Sequence, residues 1–441
     1  MIHRTASRIS LSLAVVLLPF SMGHAAPGGP DGPDRPVVIR AGTLIDGTGA
    51  KPLKNALIVV VDGHIQDVGV DLHIPRRSTI IDLSGQTVLP GFIDAHVHLT
   101  GRHIGEGSNW EDSPVRDLPQ EDAIRGVRNA RLTLQGGFTT VRNVGARDFS
   151  DIALRNMIQQ QVIPGPRILA AGHSLGITGG HCDLNGYIPG VLEPYPGRGV
   201  ADGTAAILRE VRLQVKRGAD VIKFCATGGV LSEGDAVGVQ QYTAEEMRVM
   251  VQTAHLTDRK VAAHAHGNAG IKAAIRAGVD SIEHGSELDD EAIALFRRHG
   301  TFLVPTLMAQ EAVERQAKEG LLSGLRARKA LYIAPRARAS FRKAVAGGVK
   351  IALGSDSGVF PHGLQGREFI LMVENGMDPM QAILAGTRNA AELLGLENEV
   401  GTIEAGKVAD LVAVEGNPLE RVETLARPLF VMHQGRIVRR E

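Results

Sequence analysis

The sequence predicts an α/β protein: a (β/α)8 TIM barrel joined to a small β-sandwich-like domain built from both chain ends. Eight apolar, strand-like segments alternate with helix-like segments through the middle of the chain, a pattern typical of parallel sheets. Short β-type runs flank this region at both termini. The 441 residues are long enough for such a barrel, which typically takes about 250, and one smaller module.

The predicted strands and helices follow one another in a regular order. The eight strands are 91–99, 139–144, 167–172, 220–226, 260–266, 280–285, 301–307 and 350–356. Helix-like patterns separate most of them, as at 122–135, 203–216, 244–257, 270–277, 289–298 and 325–346. An open, doubly wound sheet is the alternative. No Gly-x-Gly-x-x-Gly motif opens a helix after the first strand, so dinucleotide binding has no support.

The two chain ends share one sequence pattern, in which short strand-like runs alternate with turn residues. Short apolar runs separated by turn signals such as Asp62-Gly63 precede the barrel region, and similar runs follow it. Neither set has enough strands for a stable sheet of its own. We therefore predict one composite β domain from residues 36–90 and 396–441, with the barrel at 91–395.

The first 26 residues have the pattern of a secretory signal peptide. A basic start with Arg4 and Arg8 precedes a short apolar stretch at 11–20 and small residues near Ala25. This apolar stretch is too short to span a bilayer as a stable helix. We expect export to the periplasm or the medium, without a membrane anchor after cleavage, and a Pro- and Gly-rich linker at 27–35.

Charge and composition exclude several functional classes. Lys and Arg total 48, and Asp and Glu also total 48, a balance that argues against broad binding to nucleic acid or an anionic membrane. Aromatic residues make up 4% of the chain, too few for a base-stacking platform. The two cysteines, Cys182 and Cys225, are too few for a four-cysteine zinc site, and the sequence leaves open whether they pair.

Candidate metal ligands lie on the predicted strands or at their ends. His96 and His98 are two residues apart, so on a strand both imidazoles point to the same face. The other strand-end candidates are Lys223, His264, His266, Glu283, His284 and Asp356. Because barrel active sites lie at the C-terminal ends of strands, these positions predict a hydrolytic metal site. A lysine in an apolar strand adds support, since burying an unpaired ammonium costs several kcal/mol.

These segments resemble the amidohydrolase superfamily, over essentially the whole chain after the signal. The matching motifs are PGFIDAHVH at 90–98, IK at 222–223, HAHG at 264–267, SIEHG at 281–285, GSD at 354–356, TRNAAELLG at 387–395 and GTIEAGKVADLV at 401–412. The branch it resembles is the imidazolonepropionase-like group. That group holds Xaa-Arg/Lys and Xaa-Pro dipeptidases and the ochratoxin-hydrolysing amidohydrolases.

The resemblance implies two divalent metal ions in one site. The implied ligands are His96, His98 and Asp356 for the more buried ion, His264 and His284 for the more exposed one, and Lys223 between them. Mononuclear members lack this lysine, and here it would be a carbamate formed with carbon dioxide, giving one oxygen to each ion. Four imidazoles with oxygen ligands favour Zn²⁺, while manganese, cobalt and iron stay open.

The resemblance also implies how catalysis would run. A hydroxide shared by the two ions would attack the amide carbon, and Asp356 would move a proton from the water to the leaving amine. His264 and His266 point the same way on one strand, so either could be the ligand. His264 matches the family position, which leaves His266 to stabilise the oxyanion.

The expected substrate is a small exogenous amide with a free carboxylate beside the scissile bond. Dipeptides, N-acyl amino acids and ochratoxin-like N-acyl phenylalanine fit this description. His181, in a Gly-rich loop after the third strand, is a candidate contact for the carboxylate, with Arg142 and Tyr242 as weaker candidates. The alternatives are a cyclic amide or lactone hydrolase, and a catalytically silent binding protein on the same fold. The resemblance also predicts a homo-oligomer.

Overall fold

The computed structural model describes residues 35–107, 112–188, 190–191 and 198–441. The predicted signal peptide at 1–26, and the predicted linker at 27–35 apart from Arg35, lie outside these residues. Across the described ranges, no helix combines the length and the apolar character that crossing a membrane requires.

Strands from both chain ends share one seven-stranded sheet. They are β1 (Val37–Leu44), β2 (Leu53–Val61), β3 (His64–Gly69), β4 (Thr79–Pro90), β12 (Leu411–Glu415), β13 (Phe430–His433) and β14 (Arg436–Arg440), in the order β14-β13-β12-β4-β1-β2-β3. The long strand β4 pairs in parallel with β1 and antiparallel with β12. Strands from the two chain ends therefore meet in a single hydrogen-bonded sheet, whereas the sequence predicted a sandwich-like arrangement. Among the short apolar runs that follow the barrel region, the one at 401–403 is not a strand.

Parallel strands form the centre of the molecule. They are β5 (Phe92–Val97), β6 (Phe138–Asn143), β7 (Arg167–Ala170), β8 (Val221–Cys225), β9 (Lys260–Ala265), β10 (Ser281–His284) and β11 (Phe302–Val304). They make two sheets, ordered β5-β6-β7 and β11-β10-β9-β8. Almost every residue in them is buried, as expected for parallel strands covered by helices.

Isolated backbone pairings connect these two sheets. Leu175, after β7, forms a parallel bridge with Phe224 of β8, and Leu303 of β11 forms one with Ile351. The backbone N–H of Asp356 donates to the carbonyl of His96 in β5 at 2.7 Å. The eighth predicted strand, 350–356, is thus a bridged segment and not a regular strand. The centre is barrel-like, but it is not one continuous eight-stranded sheet.

Helices follow most of the central strands along the chain. They are α1 (Ser113–Arg116), α2 (Pro119–Gln135), α3 (Ser150–Gln159), α4 (Thr204–Arg217), α5 (Ala244–His255), α6 (Asn268–Ala277), α7 (Asp290–His299), α8 (Leu307–Lys318), α9 (Gly324–Ala346), α10 (Arg367–Glu374), α11 (Pro379–Ala385) and α12 (Arg388–Leu394). The six helices predicted by periodicity correspond to α2, α4, α5, α6, α7 and α9. The predicted strand 301–307 is shorter than expected, because Thr306 has a φ of 48° and α8 begins at Leu307.

An aromatic cluster fills the end of the centre where the strands begin. Phe92 and Phe138 are the first residues of β5 and β6, and their ring centroids lie 5.6 Å apart. Phe369 of α10 packs on Phe92 at 4.9 Å. Because this apolar cluster occupies the N-terminal ends of the strands, polar side chains converge at the opposite ends.

Asp410 connects the terminal sheet to the barrel strands. Its carboxylate is 2.8 Å from Nδ1 of His433 and accepts a hydrogen bond from Arg167 of β7 at 3.2 Å. Its backbone carbonyl accepts from the N–H of Gly91 at 2.8 Å. Burial alone would raise the pKa of Asp410, but the positive field of His433 and of Arg167 holds it below its usual value.

We expect Asp410→Asn to lower the free energy of unfolding by about 2–4 kcal/mol at pH 7, since it leaves Arg167 without its anionic partner. Because the pKa of Asp410 is lower in the folded state, its stabilisation is complete above about pH 4 and declines as the pH falls through the folded value. Urea unfolding at pH 7 and at pH 3 measures both effects.

The matched control is Glu392→Gln, which removes an exposed ion pair with Lys350. This change should alter the free energy of unfolding by less than about 1 kcal/mol. Equal losses in the two variants at pH 7 would contradict the role assigned to Asp410.

Candidate metal centre

The C-terminal ends of the central strands open into a cavity of about 480 Å³. Its lining includes His96, His98, Lys223, His264, His284 and Asp356, together with His266 and His181. These residues come from separate strands and loops that are far apart in sequence. The structure therefore gathers the candidate ligands around one space, with the exception of Glu283, which does not line the cavity and contacts Nδ1 of His96.

One group of candidate ligands is His96, His98 and Asp356. Nε2 of each histidine lies 3.4 Å from Oδ1 of Asp356. Nδ1 of His96 is 2.7 Å from a carboxylate oxygen of Glu283, and Nδ1 of His98 is 3.0 Å from the carbonyl of Gly145. These acceptors take the Nδ1–H of each ring, so both rings present the Nε2 lone pair to the group. Burial lowers the pKa of His98 to about 4, which keeps that ring neutral, as a ligand must be.

A second group is His264, His266 and His284, whose ligand atoms lie within 4.8 Å of one another. Nδ1 of His266 is 2.7 Å from the Ser286 hydroxyl, and Nδ1 of His284 is 2.7 Å from the Thr306 hydroxyl. Nε2 of His264 is buried and has no hydrogen-bond partner among the described residues. A buried nitrogen without a partner is costly, and a bound cation would satisfy it. The donor set thus fits a metal ion.

Lys223 lies in the middle of β8 and lines the same cavity as both groups. Its side chain is 3% exposed. Burial lowers the pKa of Lys223 to about 8, although Glu283 and Asp356 oppose that effect. The lowered pKa increases the fraction of neutral amine at neutral pH.

Two site residues have a left-handed backbone. The φ angles of His284 and Asp356 are 71° and 60°, a region that non-glycine residues rarely adopt and that often marks functional sites. In a regular strand Glu283 and His284 would point to opposite faces. The backbone turn at His284 ends that alternation. Glu283 therefore contacts His96, and the next residue, His284, lines the cavity.

Arg142 lies beneath the site and does not line the cavity. Its guanidinium donates to the carbonyl of Ala95 at 2.6 Å, to the hydroxyl of Ser281 at 3.1 Å and to the carboxylate of Glu283 at 2.8 Å. The side chain is 1% exposed. The structure corrects the prediction that Arg142 contacts substrate, because its donors are used inside the barrel to orient Glu283 and, through it, His96.

Tyr242 is a second correction. It is 1% exposed and is absent from the cavity lining. Its hydroxyl donates to the carbonyl of Ala201 at 3.2 Å, and its ring packs edge-on against Phe224. Tyr242 is therefore a core residue with a satisfied hydroxyl, and it does not contact the cavity.

Asp94 is a site residue that the sequence reasoning missed. Its Oδ1 accepts hydrogen bonds from the backbone N–H of His96 at 3.1 Å and of Ser355 at 3.0 Å. It thereby joins β5 to the segment that carries Asp356. The sequence did contain a signal for this role, namely a carboxylate in a largely apolar strand. Such a group is buried only where hydrogen-bond donors satisfy it.

His181 lies on the cavity wall, beside a disulfide between Cys182 and Cys225. The Cα atoms of the two cysteines are 5.9 Å apart. The sequence left open whether these cysteines pair, and the structure shows that they do. The ring of His181 stacks on His264 with centroids 4.2 Å apart. Its Nδ1 is 2.8 Å from the hydroxyl of Ser232.

Known proteins resemble this chain over most of its length. The amidohydrolase family model matches residues 87–438. Ochratoxinase from Aspergillus niger is 35% identical over 419 residues, which cover 90% of this chain and 84% of that protein. A solved Xaa-Pro dipeptidase with methionine in its active site has a TM-score of 0.87 at 40% identity, covering 91% of this chain and 99% of that one.

A solved prolidase complexed with N-methylphosphonate-L-proline is also similar. Its TM-score is 0.85 at 31% identity, over 92% of this chain and 100% of that one. The likeness extends across the barrel-like centre and the terminal sheet, and it identifies a TIM-barrel-like α/β fold. The chain belongs to the amidohydrolase family and is a hydrolase that acts on amide bonds.

Proposed function

We propose that this protein is a binuclear-metal amidohydrolase that cleaves an amide bond next to a free carboxylate. One observation carries the proposal: two groups of metal-binding side chains and a buried lysine line the same cavity. Dipeptides, N-acyl amino acids and ochratoxin-like N-acyl phenylalanine are the proposed substrates. The volume of about 480 Å³ is within the range of small-molecule sites, and the relatives named ochratoxinase and Xaa-Pro dipeptidase support this substrate class.

The proposed ligands divide between two ions. They are His96, His98 and Asp356 for one ion, His264 and His284 for the other, and Lys223 as a bridging carbamate. The partnerless Nε2 of His264 supports its choice over His266. The lowered pKa of Lys223 supports the carbamate, because the neutral amine is the form that reacts with carbon dioxide. The imidazole-rich set favours Zn²⁺.

The chain's own residues would move the protons. Bound divalent ions would acidify a water in the cavity and polarise the substrate carbonyl. Burial would raise the pKa of Asp356, but His96 and His98 hold it below its usual value, so the carboxylate is ionised and can act as a base. Asp356 would take a proton from the attacking water and return it to the leaving nitrogen.

His266 would hydrogen-bond the carbonyl oxygen as that oxygen gains negative charge. The hydroxyl of Ser286 lies 2.7 Å from Nδ1 of His266. A hydroxyl can donate its proton to Nδ1, and the neutral ring then carries its own proton on Nε2. In this tautomer His266 is a donor aimed at the cavity, which is the role an oxyanion partner needs.

We further infer the finer architecture and the location of the protein. Residues 91–395 would form the (β/α)8 barrel domain, in which isolated bridges join the two parallel sheets, and residues 36–90 and 396–441 would form the composite β domain. Export after cleavage of residues 1–26 is supported by the Cys182–Cys225 disulfide, since disulfides persist in oxidising compartments. The homo-oligomer expected from the sequence stays a prediction, which light scattering on the purified protein measures.

We expect the purified protein to hold close to two divalent ions per chain, because the cavity contains two separate ligand groups. Lys223→Ala should retain about one ion or fewer, since it removes the group between them. Elemental analysis by mass spectrometry measures both values. Lys350→Ala, at an exposed lysine, is the control and should keep the wild-type content. A wild-type value below one ion per chain would rule out the binuclear site.

We expect Asp356→Asn to lower kcat by about 10²–10⁴-fold, the usual contribution of a general acid–base group. A panel of dipeptides and N-acyl amino acids, assayed with zinc and bicarbonate, gives kcat and KM. Asp82→Asn, at a residue outside the cavity, should leave kcat unchanged. Retention of at least one ion by the Asp356 variant separates proton transfer from loss of metal, and near-normal turnover would disprove the assignment.

A further inference from the structure

Two residues with a left-handed backbone meet beside the proposed metal centre. Nδ1 of His284 lies 2.7 Å from the hydroxyl of Thr306, and both residues are buried. Their φ angles are 71° and 48°. A β-branched residue such as threonine rarely adopts this backbone, which costs free energy and persists only where neighbouring groups hold it in place. The contact that orients the ring of His284 therefore needs support from elsewhere in the fold.

Thr306 is also the N-cap residue of helix α8. An N-cap threonine normally has an extended backbone, and its hydroxyl accepts an N–H of the first helical turn. Thr306 makes no such bond, since its backbone is left-handed and its hydroxyl contacts His284 instead. Leu307 and Met308, the residues that begin α8, are both buried. Their N–H groups therefore need another acceptor within the protein.

Glu368 of helix α10 supplies both acceptors. Its Oε1 accepts the N–H of Leu307 at 2.8 Å, and its Oε2 accepts the N–H of Met308 at 2.7 Å. The Glu368 side chain is fully buried. A carboxylate is well suited to this position, because the positive end of the helix dipole attracts it. Glu368 thus caps α8 in place of Thr306, from a position 60 residues beyond Met308 in the chain.

Helix α10 is attached both to the centre of the molecule and to α8. Phe369 packs on Phe92 of β5 with ring centroids 4.9 Å apart. Arg367 forms a bidentate ion pair with Glu311 of α8, in which both N···O distances are 2.6 Å. That ion pair is partly exposed, whereas Glu368 reaches the buried backbone at the start of α8. The two contacts between the same helices can therefore be removed separately.

We infer that Glu368 is a positioning residue for the metal centre: it caps α8 and so leaves the hydroxyl of Thr306 free to hold His284. The inference rests on the proposed function, which assigns His284 to one of two ions, and it adds a residue that does not line the cavity. Without the carboxylate, the N–H groups that begin α8 compete for the hydroxyl of Thr306. The ring of His284 then loses its partner, and the ion that it would ligate binds more weakly.

The test measures binding of Zn²⁺ alone to the full chain after metal removal, in competition with a chromophoric chelator. Burial raises the pKa of Glu368 to about 8, although the N–H groups of Leu307 and Met308 oppose that rise. The titration is therefore run at about pH 9, where most of the wild-type carboxylate is ionised. Glu368→Gln replaces one accepting oxygen with an NH₂ group. It should weaken one of the two ions about 10–100-fold, the usual effect of losing a group that orients a ligand, and the other by less than about threefold.

Glu311→Gln is the matched control. It removes the ion pair with Arg367 between the same two helices but leaves the cap on α8 intact. Both ions should bind to this variant within about threefold of the wild-type affinity. A general loosening of α8 against α10 would instead weaken zinc binding in both variants alike.

Substitutions at Thr306 test whether Glu368 acts through it. Thr306→Val removes the hydroxyl at nearly constant shape and should weaken the same ion about 10–100-fold, whereas Thr306→Ser keeps a hydroxyl and should preserve its binding. Adding Glu368→Gln to Thr306→Val should then change the affinity by less than about threefold, because the bond that Glu368 supports is already lost. Independent structural roles would make the two effects multiply.

Glu368→Asp takes the place of Glu368→Gln if circular dichroism shows that the glutamine variant does not fold. It keeps the charge, but its shorter side chain cannot reach both N–H groups. The same selective loss of one ion is expected, and the same lack of additivity with Thr306→Val.

Wild-type affinity for both ions in the Glu368 variant, or an equal loss in Glu311→Gln, would overturn the inference and leave the proposed function intact. Effects that multiply in the double variant would do the same. A wild type that takes up only one ion even in excess Zn²⁺ would overturn the proposed binuclear centre and this inference together.

Discussion

The cavity depends on one carboxylate that has no contact with water. Glu283 is fully buried, and burial alone would raise its pKa, yet Arg142 and then His96 lower it to about 2. The resulting charge cluster connects three strands, because Arg142 of β6 also bonds the carbonyl of Ala95 in β5 and Glu283 belongs to β10. Removing one member would leave the others charged and unpaired in the protein interior, which is strongly destabilising. The orientation of His96 is therefore fixed before any ligand arrives.

The sequence predicted the site through simple periodicity. His96 and His98 share one face of a strand, and the positions of Lys223, His264 and Asp356 followed from the rule that barrel chemistry lies at strand C-termini. This information is local, so it can be read along the chain. It also placed most of the helices and the two β-rich chain ends within a few residues.

Features that depend on contacts between distant residues could not be predicted in this way. The position of Arg142 at the end of a predicted strand suggested a substrate contact, but its partner Glu283 is 141 residues further along the chain. The left-handed backbone at His284, which allows two adjacent residues to serve one site, has no sequence signal in a non-glycine residue. In both cases the deciding feature, a buried ion pair or a backbone turn, is created only by the fold.

The disulfide between Cys182 and Cys225 has a consequence for how the protein matures. Both cysteines line the cavity that holds the candidate ligands, and thiolates are soft ligands that bind zinc and copper(I) strongly. In the reduced chain they would compete with the histidines for incoming ions. Once oxidised they no longer offer thiolates. Folding in an oxidising compartment would therefore protect the centre from capturing metal in the wrong place, and oxidation should precede metal loading.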